Sequence, residues 1–423
     1  MVDGWARYAA RHGLGMALCP HAVHVTWNVR DTPSLQRERP LWIRSSLPSL
    51  KLDLRMMTAP REHKSSSELP FALQAVAGPS IVELRVDGVE KWTRALKTAC
   101  TEIIRQCPAL ETVRLSYASA ACVNALAALP SLRQLNISRI SELVAQADAA
   151  GFLALQTLEV FWTRHDRVVC LLRRLGGAQS LTDISLSYRP PSSNTVHSAQ
   201  QVGLLCQPVV QHCNVTELSH LCVTDEGTWG HSSVKDRPFF AVQYDHIRCL
   251  HELKKLKKLH IIPWGCVDLT DTEMQALSAS WPLLENLYLG RPSFINPADM
   301  PFATRATAQS LLLVASHCPN LYTFEMTLNL GSGVPISRGC PGAALRHMSL
   351  QDLYLGDSVW GKDDTRPLAL MLTDVFPSLQ MLTAGAECAE ESGKVPYRLL
   401  QKLKKLVYFG IEARRQERMH FAQ

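Results

Sequence analysis

One arrangement of apolar and polar positions keeps returning along the chain: a leucine, two variable residues, an apolar residue, one residue, and a second apolar residue. It is clearest in Pro108-Ala109-Leu110-Glu111-Thr112-Val113-Arg114-Leu115 and in Pro130-Ser131-Leu132-Arg133-Gln134-Leu135-Asn136-Ile137. Leu284/Leu287/Leu289 and Leu321/Phe324/Met326 repeat it, again with a proline two positions ahead. The spacing recurs in Leu47/Leu50/Leu52, Ile81/Leu84/Val86, Leu155/Leu158/Val160, Leu181/Ile184/Leu186, Leu218/Leu221/Val223 and Leu256/Leu259/Ile261. Leu345/Met348/Leu350, Leu379/Leu382 behind Pro377, and Leu406/Phe409/Ile411 complete thirteen copies. From Leu110 onward they are spaced about 30 residues apart, unevenly, so insertions sit between units.

The apolar pair at the end of each copy has period two, which is a short strand with one face buried. Between copies lie stretches such as 99–107, 272–280, 308–317 and 368–376, with apolar residues three or four apart, which predict helices. One strand and one returning helix cannot enclose their own leucines, so units must stack on their neighbours. The prediction is an α/β leucine-rich-repeat solenoid: a horseshoe with a parallel sheet on the concave face and helices on the convex face. Residues 47–423 form the repeat domain, and residues 1–46 a separate N-terminal cap segment.

Composition narrows the class further. Hydrophobic residues make up 46% and charged residues 19%, enough to bury a large core and too apolar for disorder. The net charge of +6 is a mild excess without a long basic run, so nucleic acid is not called for. No window approaches a membrane span. Thirteen cysteines, an odd number without any C-x-x-C pair, fit neither a zinc site nor a disulfide framework. They predict reduced, buried thiols and a cytoplasmic or nuclear location.

Gln106-Cys107-Pro108 and His317-Cys318-Pro319 each end a predicted helix in cysteine and open the next strand with proline, and Thr270-Asp271 stands as a helix cap. These boundaries resemble the cysteine-containing class of leucine-rich repeat common in F-box proteins. Trp5-Ala6-Arg7-Tyr8-Ala9 resembles the segment that follows the F-box in a group of fungal F-box-like repeat proteins. The resemblance implies the substrate-recognition part of an F-box-type ubiquitin ligase, holding a target for other subunits. The stretch before Leu47 carries Pro33, Pro40 and an extended Val23–Val29 rather than a helical box, so a cullin-ligase adaptor is expected as a partner only where an F-box lies upstream. The alternative is a free-standing repeat scaffold or inhibitor unconnected to ubiquitin.

Chemistry is sparse. The chain has no G-x-S-x-G elbow, no G-x-x-x-x-G-K and no G-x-G-x-x-G, and Gly331-Ser332-Gly333 reads as a loop. His165-Asp166 and Asp363-Asp364 are adjacent ionisable pairs and no more than that. Histidines 212, 220, 231, 246, 251 and 260 are dense but lack the i,i+4 or H-x-H spacing of a metal site. The expectation is no enzyme, no cofactor and no metal, with a protein as partner.

Strand residues alternating with the buried pairs point to the concave face, among them Arg85, Arg114, Asn136, Glu159, His260, Tyr288, Glu325, Ser349 and Gln351. Interfaces draw on aromatic and arginine anchors. Arg114, Phe161 and Tyr288, with the loop residues Trp162, Tyr188 and Trp264, are therefore the expected partner contacts.

Overall fold

A computed structural model describes residues 25–28, 50–55, 81–87, 92–141, 151–189, 198–225, 241–263, 265–290, 304–331, 345–356, 358, 360–384 and 396–421. The chain divides into two compact units, residues 1–183 with 212–214, and residues 184–211 with 215–423.

In the first unit six strands lie side by side in chain order, each parallel to the next. They are β1 (Val25–Asn28), β2 (Leu50–Arg55), β3 (Ile81–Asp87), β4 (Thr112–Leu115), β5 (Gln134–Ile137) and β6 (Thr157–Arg164). Helices α1 (Arg94–Gln106), α2 (Ala120–Ala127) and α3 (His165–Leu172) lie between strands or follow them.

The second unit begins within β7 (Asp183–Arg189) and continues with β8 (His220–Asp225). A short parallel ribbon, β9 (Val242–Gln243) with β11 (Val267–Asp268), stands apart from the main sheet. In that sheet β8, β10 (Lys258–Ile262), β12 (Asn286–Leu289), β13 (Thr323–Met326), β14 (Asp352–Tyr354) and β15 (Met381–Thr383) pair in parallel, in that order. The helices are α4 (Ser198–His212), α5 (Tyr244–Ile247), α6 (Asp271–Ala279), α7 (Ala308–His317), α8 (Thr365–Val375) and α9 (Pro396–Phe421). Each unit is thus a leucine-rich-repeat stack of the α/β class, strand following strand through helical or turn-like returns.

The spacing of the copies explains the stack. Leu110, Val113 and Leu115, like Leu132, Leu135 and Ile137, are at most 1% exposed. Each such side chain contributes about 1.5 to 3 kcal/mol by leaving water. The residue after the first leucine joins one repeat to the next through its carbonyl. Glu111 O accepts from Arg133 N and Gln134 N at 2.8 and 2.9 Å, and Arg133 O from Gln156 N and Thr157 N at 2.8 and 3.0 Å. In the second unit Ser219, Lys257, Glu285, Tyr322 and Gln351 do the same.

The helix boundaries follow side-chain chemistry. Thr270 Oγ1 accepts from Glu273 N at 3.2 Å while Glu273 Oε2 accepts from Thr270 N at 2.7 Å, a reciprocal cap on α6 that satisfies two backbone donors. Asp271, inside that cap, accepts from the backbone and hydroxyl of Thr307 and the hydroxyl of Ser310, so it also sets the start of α7. Cys107 and Cys318 cap α1 and α7 as expected from the cysteine-proline boundaries, and both are fully buried. The Cys318 thiol reaches the carbonyls of Ser278 and Trp281 at 3.6 and 3.5 Å, in the preceding repeat.

Among the described residues the first strand of the sheet is β1, where Val25–Asn28 pairs in register with Leu50–Asp53. Two expectations need correction. The copy read as Leu345/Met348/Leu350 is out of frame. Met348 is 56% exposed, whereas Leu350, Leu353 and Leu355 are at most 1% exposed and β14 begins at Asp352. The carbonyl of Gln351, bonded to Gln380 N and Met381 N, fixes that frame.

Finally, Leu406/Phe409/Ile411 is not a strand. It lies in α9, where Leu400, Leu403 and Val407 are buried at helical spacing and Phe409 is 75% exposed. That segment is rich in Leu, Lys, Gln, Glu and Arg, which favour helix. It packs on α8 closely enough that a Cβ on Gly410 would meet Thr373 Cγ2 at 2.8 Å, and Arg414 pairs with the nearly buried Asp374.

Candidate functional site

The outward-facing rows of each sheet carry the side chains not consumed by the core. In the first unit, register aligns Arg85, Arg114, Asn136 and Glu159 across four strands, with Glu83, Thr112, Gln134 and Thr157 in the row beside them. Together they line a shallow hollow of about 230 Å³. Arg114 is exposed, and Asn136 donates through Nδ2 to Glu159 while its own Oδ1 is buried without a partner.

At the end of this row β6 departs from strict alternation. Trp162 has φ of +50°, and the burial pattern slips so that Leu158, Val160 and Thr163 point inward while Phe161 and Trp162 do not. The left-handed backbone costs a non-glycine residue about 1 to 2 kcal/mol. Phe161 is half-buried and Trp162 is 49% exposed. Thr163 holds the backbone here, its hydroxyl donating to Phe161 O at 2.9 Å and accepting from Ile140 N at 3.1 Å.

In the second unit the outward row runs Cys222, His260, Tyr288, Glu325, Tyr354 and Thr383 across consecutive strands. His260 and Tyr288 meet edge to face with centroids 4.3 Å apart, and Tyr288 and Tyr354 approach to 6.4 Å over the strand between them. That strand, β13, is buried on both faces, and Glu325 is 5% exposed with Oε1 lacking a hydrogen-bond partner. Burial pushes the Glu325 carboxyl up to about 7. Burial, with Lys258 and His220 adding to it, takes the His260 imidazole down to about 4, and His260 Nε2 is likewise unpartnered. Burial raises both tyrosine hydroxyls above their usual range.

The expected contacts therefore separate. Arg114, Phe161 and Trp162 belong to the first unit and Tyr288 to the second, each with surface left to offer. Tyr188 is withdrawn, because it is fully buried in the core of the second unit. Trp264 and the Ser332-Gly333 part of the glycine-serine turn lie outside the described residues. Ser349 and Gln351 give way to Asp352 and Tyr354 as the outward residues of their repeat, a direct result of the corrected frame. Tyr354 was legible in Leu350-Gln351-Asp352-Leu353-Tyr354-Leu355, but the overlapping match ending at Leu350 masked it.

The remaining ionisable groups serve structure. Asp166 pairs with Arg164 at 3.2 Å on the surface. Asp364 accepts from Gly361 N at 2.9 Å. His251 bridges Tyr244 and Ser280 at 2.7 and 2.6 Å, and His347 bridges Cys318 O and Leu350 N at 2.8 and 3.2 Å. Among the described residues no three His, Cys, Asp or Glu side chains are grouped to hold a metal ion. No described helix is long and apolar enough to cross a membrane.

No family model matches the chain, and no curated protein matches it. Among solved structures, a chain from the crystal structure of the Rad7 and Elc1 complex in yeast is similar over 93% of this chain and 86% of that one, at 16% identity and a TM-score of 0.36.

Proposed function

We propose that the chain is a protein-interaction solenoid that binds a partner through the outward rows of its sheets and carries out no chemistry itself. The observation that carries this reading is the row Cys222–His260–Tyr288–Glu325–Tyr354–Thr383. It sets two tyrosines and two unpartnered buried polar atoms, His260 Nε2 and Glu325 Oε1, on a face the core does not require. Buried polar groups without partners are costly, and tyrosine is among the side chains that dominate protein interfaces.

The finer form of the proposal is substrate recognition for an F-box-type ubiquitin ligase. It rests on the likeness of the cysteine-proline boundaries and of Trp5–Ala9 to F-box-like repeat proteins. A free-standing scaffold or inhibitor unconnected to ubiquitin is the second reading.

Affinity purification of the full chain with quantitative mass spectrometry tests both. Tyr288→Ala with Tyr354→Ala, and separately Phe161→Ala with Trp162→Ala, are expected to lower recovery of at least one partner by tenfold or more, with an unchanged circular-dichroism spectrum. Identical recovery from well-folded variants removes the interaction reading. A cullin-ligase adaptor among the partners selects the ligase form, and its absence selects the scaffold.

A further inference from the structure

We infer that Glu325, set between Tyr288 and Tyr354, is the receptor for an arginine side chain of the protein partner. This inference rests on the interaction reading above and names the chemistry the partner must bring.

Glu325 occupies an outward position of β13, in register with Tyr288 on β12 and Tyr354 on β14. A residue there faces away from the helices, and its equivalents in other repeats are exposed or half-buried, as Arg114 and Asn136 are. Glu325 is instead 95% buried, and the rings of its two register neighbours stand 6.4 Å apart, centroid to centroid. None of the ion pairs among the described residues involves Glu325, and its Oε1 has no hydrogen-bond donor.

A carboxyl group with one oxygen, Oε1, buried and without a donor is destabilising in either protonation state. A glutamine or an apolar residue would fill the same space at lower cost. What the arrangement lacks is a cation with several hydrogen-bond donors. A guanidinium fits this need better than an ammonium. It is planar, bonds a carboxylate through two parallel N–H groups, is weakly hydrated, and stacks on tyrosine faces.

Entry requires one ring to move aside. Tyr354 is the ring suited to it, since its hydroxyl donates to the Met381 thioether, a weak acceptor. Tyr288 is held by its close edge-to-face contact with His260.

The geometry also dictates a pH dependence. The groups facing Glu325 are Tyr288 from β12, Tyr354 and Asp352 from β14, and Thr323 on its own strand, with His260 and Lys258 on β10 beyond Tyr288. With its value near 4, His260 stays neutral between pH 6 and 8, and the tyrosines, raised above 10, stay neutral too. The carboxyl, near 7, is the group of the row that changes charge there. An arginine binds its ionised form, so affinity rises with pH across that range and levels off above it. The ionised fraction grows about tenfold between pH 6 and 8 for a group titrating near 7.

The test titrates the full-length protein with the peptide acetyl-Gly-Arg-Gly-amide and with its citrulline counterpart, a neutral isostere, followed by chemical-shift changes of the tyrosine rings. The expected result is binding of the arginine peptide that tightens up to about tenfold from pH 6 to 8. Little binding of the citrulline peptide is expected, and Glu325→Gln, an isosteric change, should abolish both the preference and the pH dependence. Equal binding of the two peptides, or a preference that survives Glu325→Gln in a folded protein, overturns the assignment. A lysine peptide that outcompetes arginine overturns it as well. If the peptides do not differ while Tyr288→Ala with Tyr354→Ala still loses its protein partner, the arginine assignment falls and the interaction reading stands.

Discussion

Glu325 shows how one residue can sit on a leucine-rich-repeat face and still act as if it were inside the core. A glutamate titrates near 4.3 when unfolded, and here the fold pushes it up to about 7. The folded protein therefore holds a proton that the unfolded chain releases, and stability falls as pH rises from about 4.5 to about 7. Above that the penalty is constant. Glu325→Gln removes the titration, so the variant should be more stable than the parent at pH 8, by up to about 3 kcal/mol. Near pH 4, below both values, the two should be nearly equal. Urea denaturation at the two pH values checks this, and a variant no more stable at pH 8 would contradict the burial on which the arginine site depends. A residue that lowers stability while remaining uninvolved in packing is expected where function requires it. The sequence offered Glu325 as one outward residue among many, but nothing in a single sequence indicates that it would be buried between its neighbours.

At the level of the element, the repeat pattern was legible wherever a leucine, the following strand pair and a helix boundary agreed, as around Leu110 and Leu132. It misled where two frames overlapped. Leu345/Met348/Leu350 and Leu350/Leu353/Leu355 satisfy the same spacing, and the choice falls to packing: His347 takes a buried position between Cys318 O and Leu350 N, which leaves Met348 outside. Truncation separates the frames. Leu353→Ala should cost about 2 to 5 kcal/mol as a buried leucine, and Met348→Ala less than about 0.5 kcal/mol as a surface change. Comparable losses from the two in chemical denaturation would restore the original frame.

The helix α9 failed differently. Its Leu406/Phe409/Ile411 spacing is a strand pattern, but Leu400, Leu403 and Val407 make a better helical stripe, and α8 offers a surface for it. A six-residue pattern cannot outweigh a buried stripe two turns long.

For the molecule as a whole, the thiols report on the packing of both units. Cys100, Cys107, Cys122, Cys206 and Cys318 are buried, and burial raises the thiols of Cys122 and Cys318 to about 12. At pH 8 these five should resist iodoacetamide in the native protein and react on unfolding, as peptide mass mapping would show. Rapid native alkylation of Cys107 or Cys318 would mean that the helix-to-strand boundaries are open. The reduced, buried character of these residues was readable from composition. The bond from the Cys318 thiol to the preceding repeat was not, because it depends on how two repeats stack.

Sequence alone determined the α/β leucine-rich-repeat architecture, the position of most strands, the cap at Thr270 and the cysteine-ended helices. All of these follow from contacts within one repeat or from a periodicity that any stacked repeat must satisfy. Tertiary structure alone decided the frame at β14, the helical state of 396–421, the burial of Tyr188 and the burial of Glu325 between its neighbours. Those depend on which side chains from neighbouring repeats meet, and such meetings are set by stacking rather than by spacing along the chain.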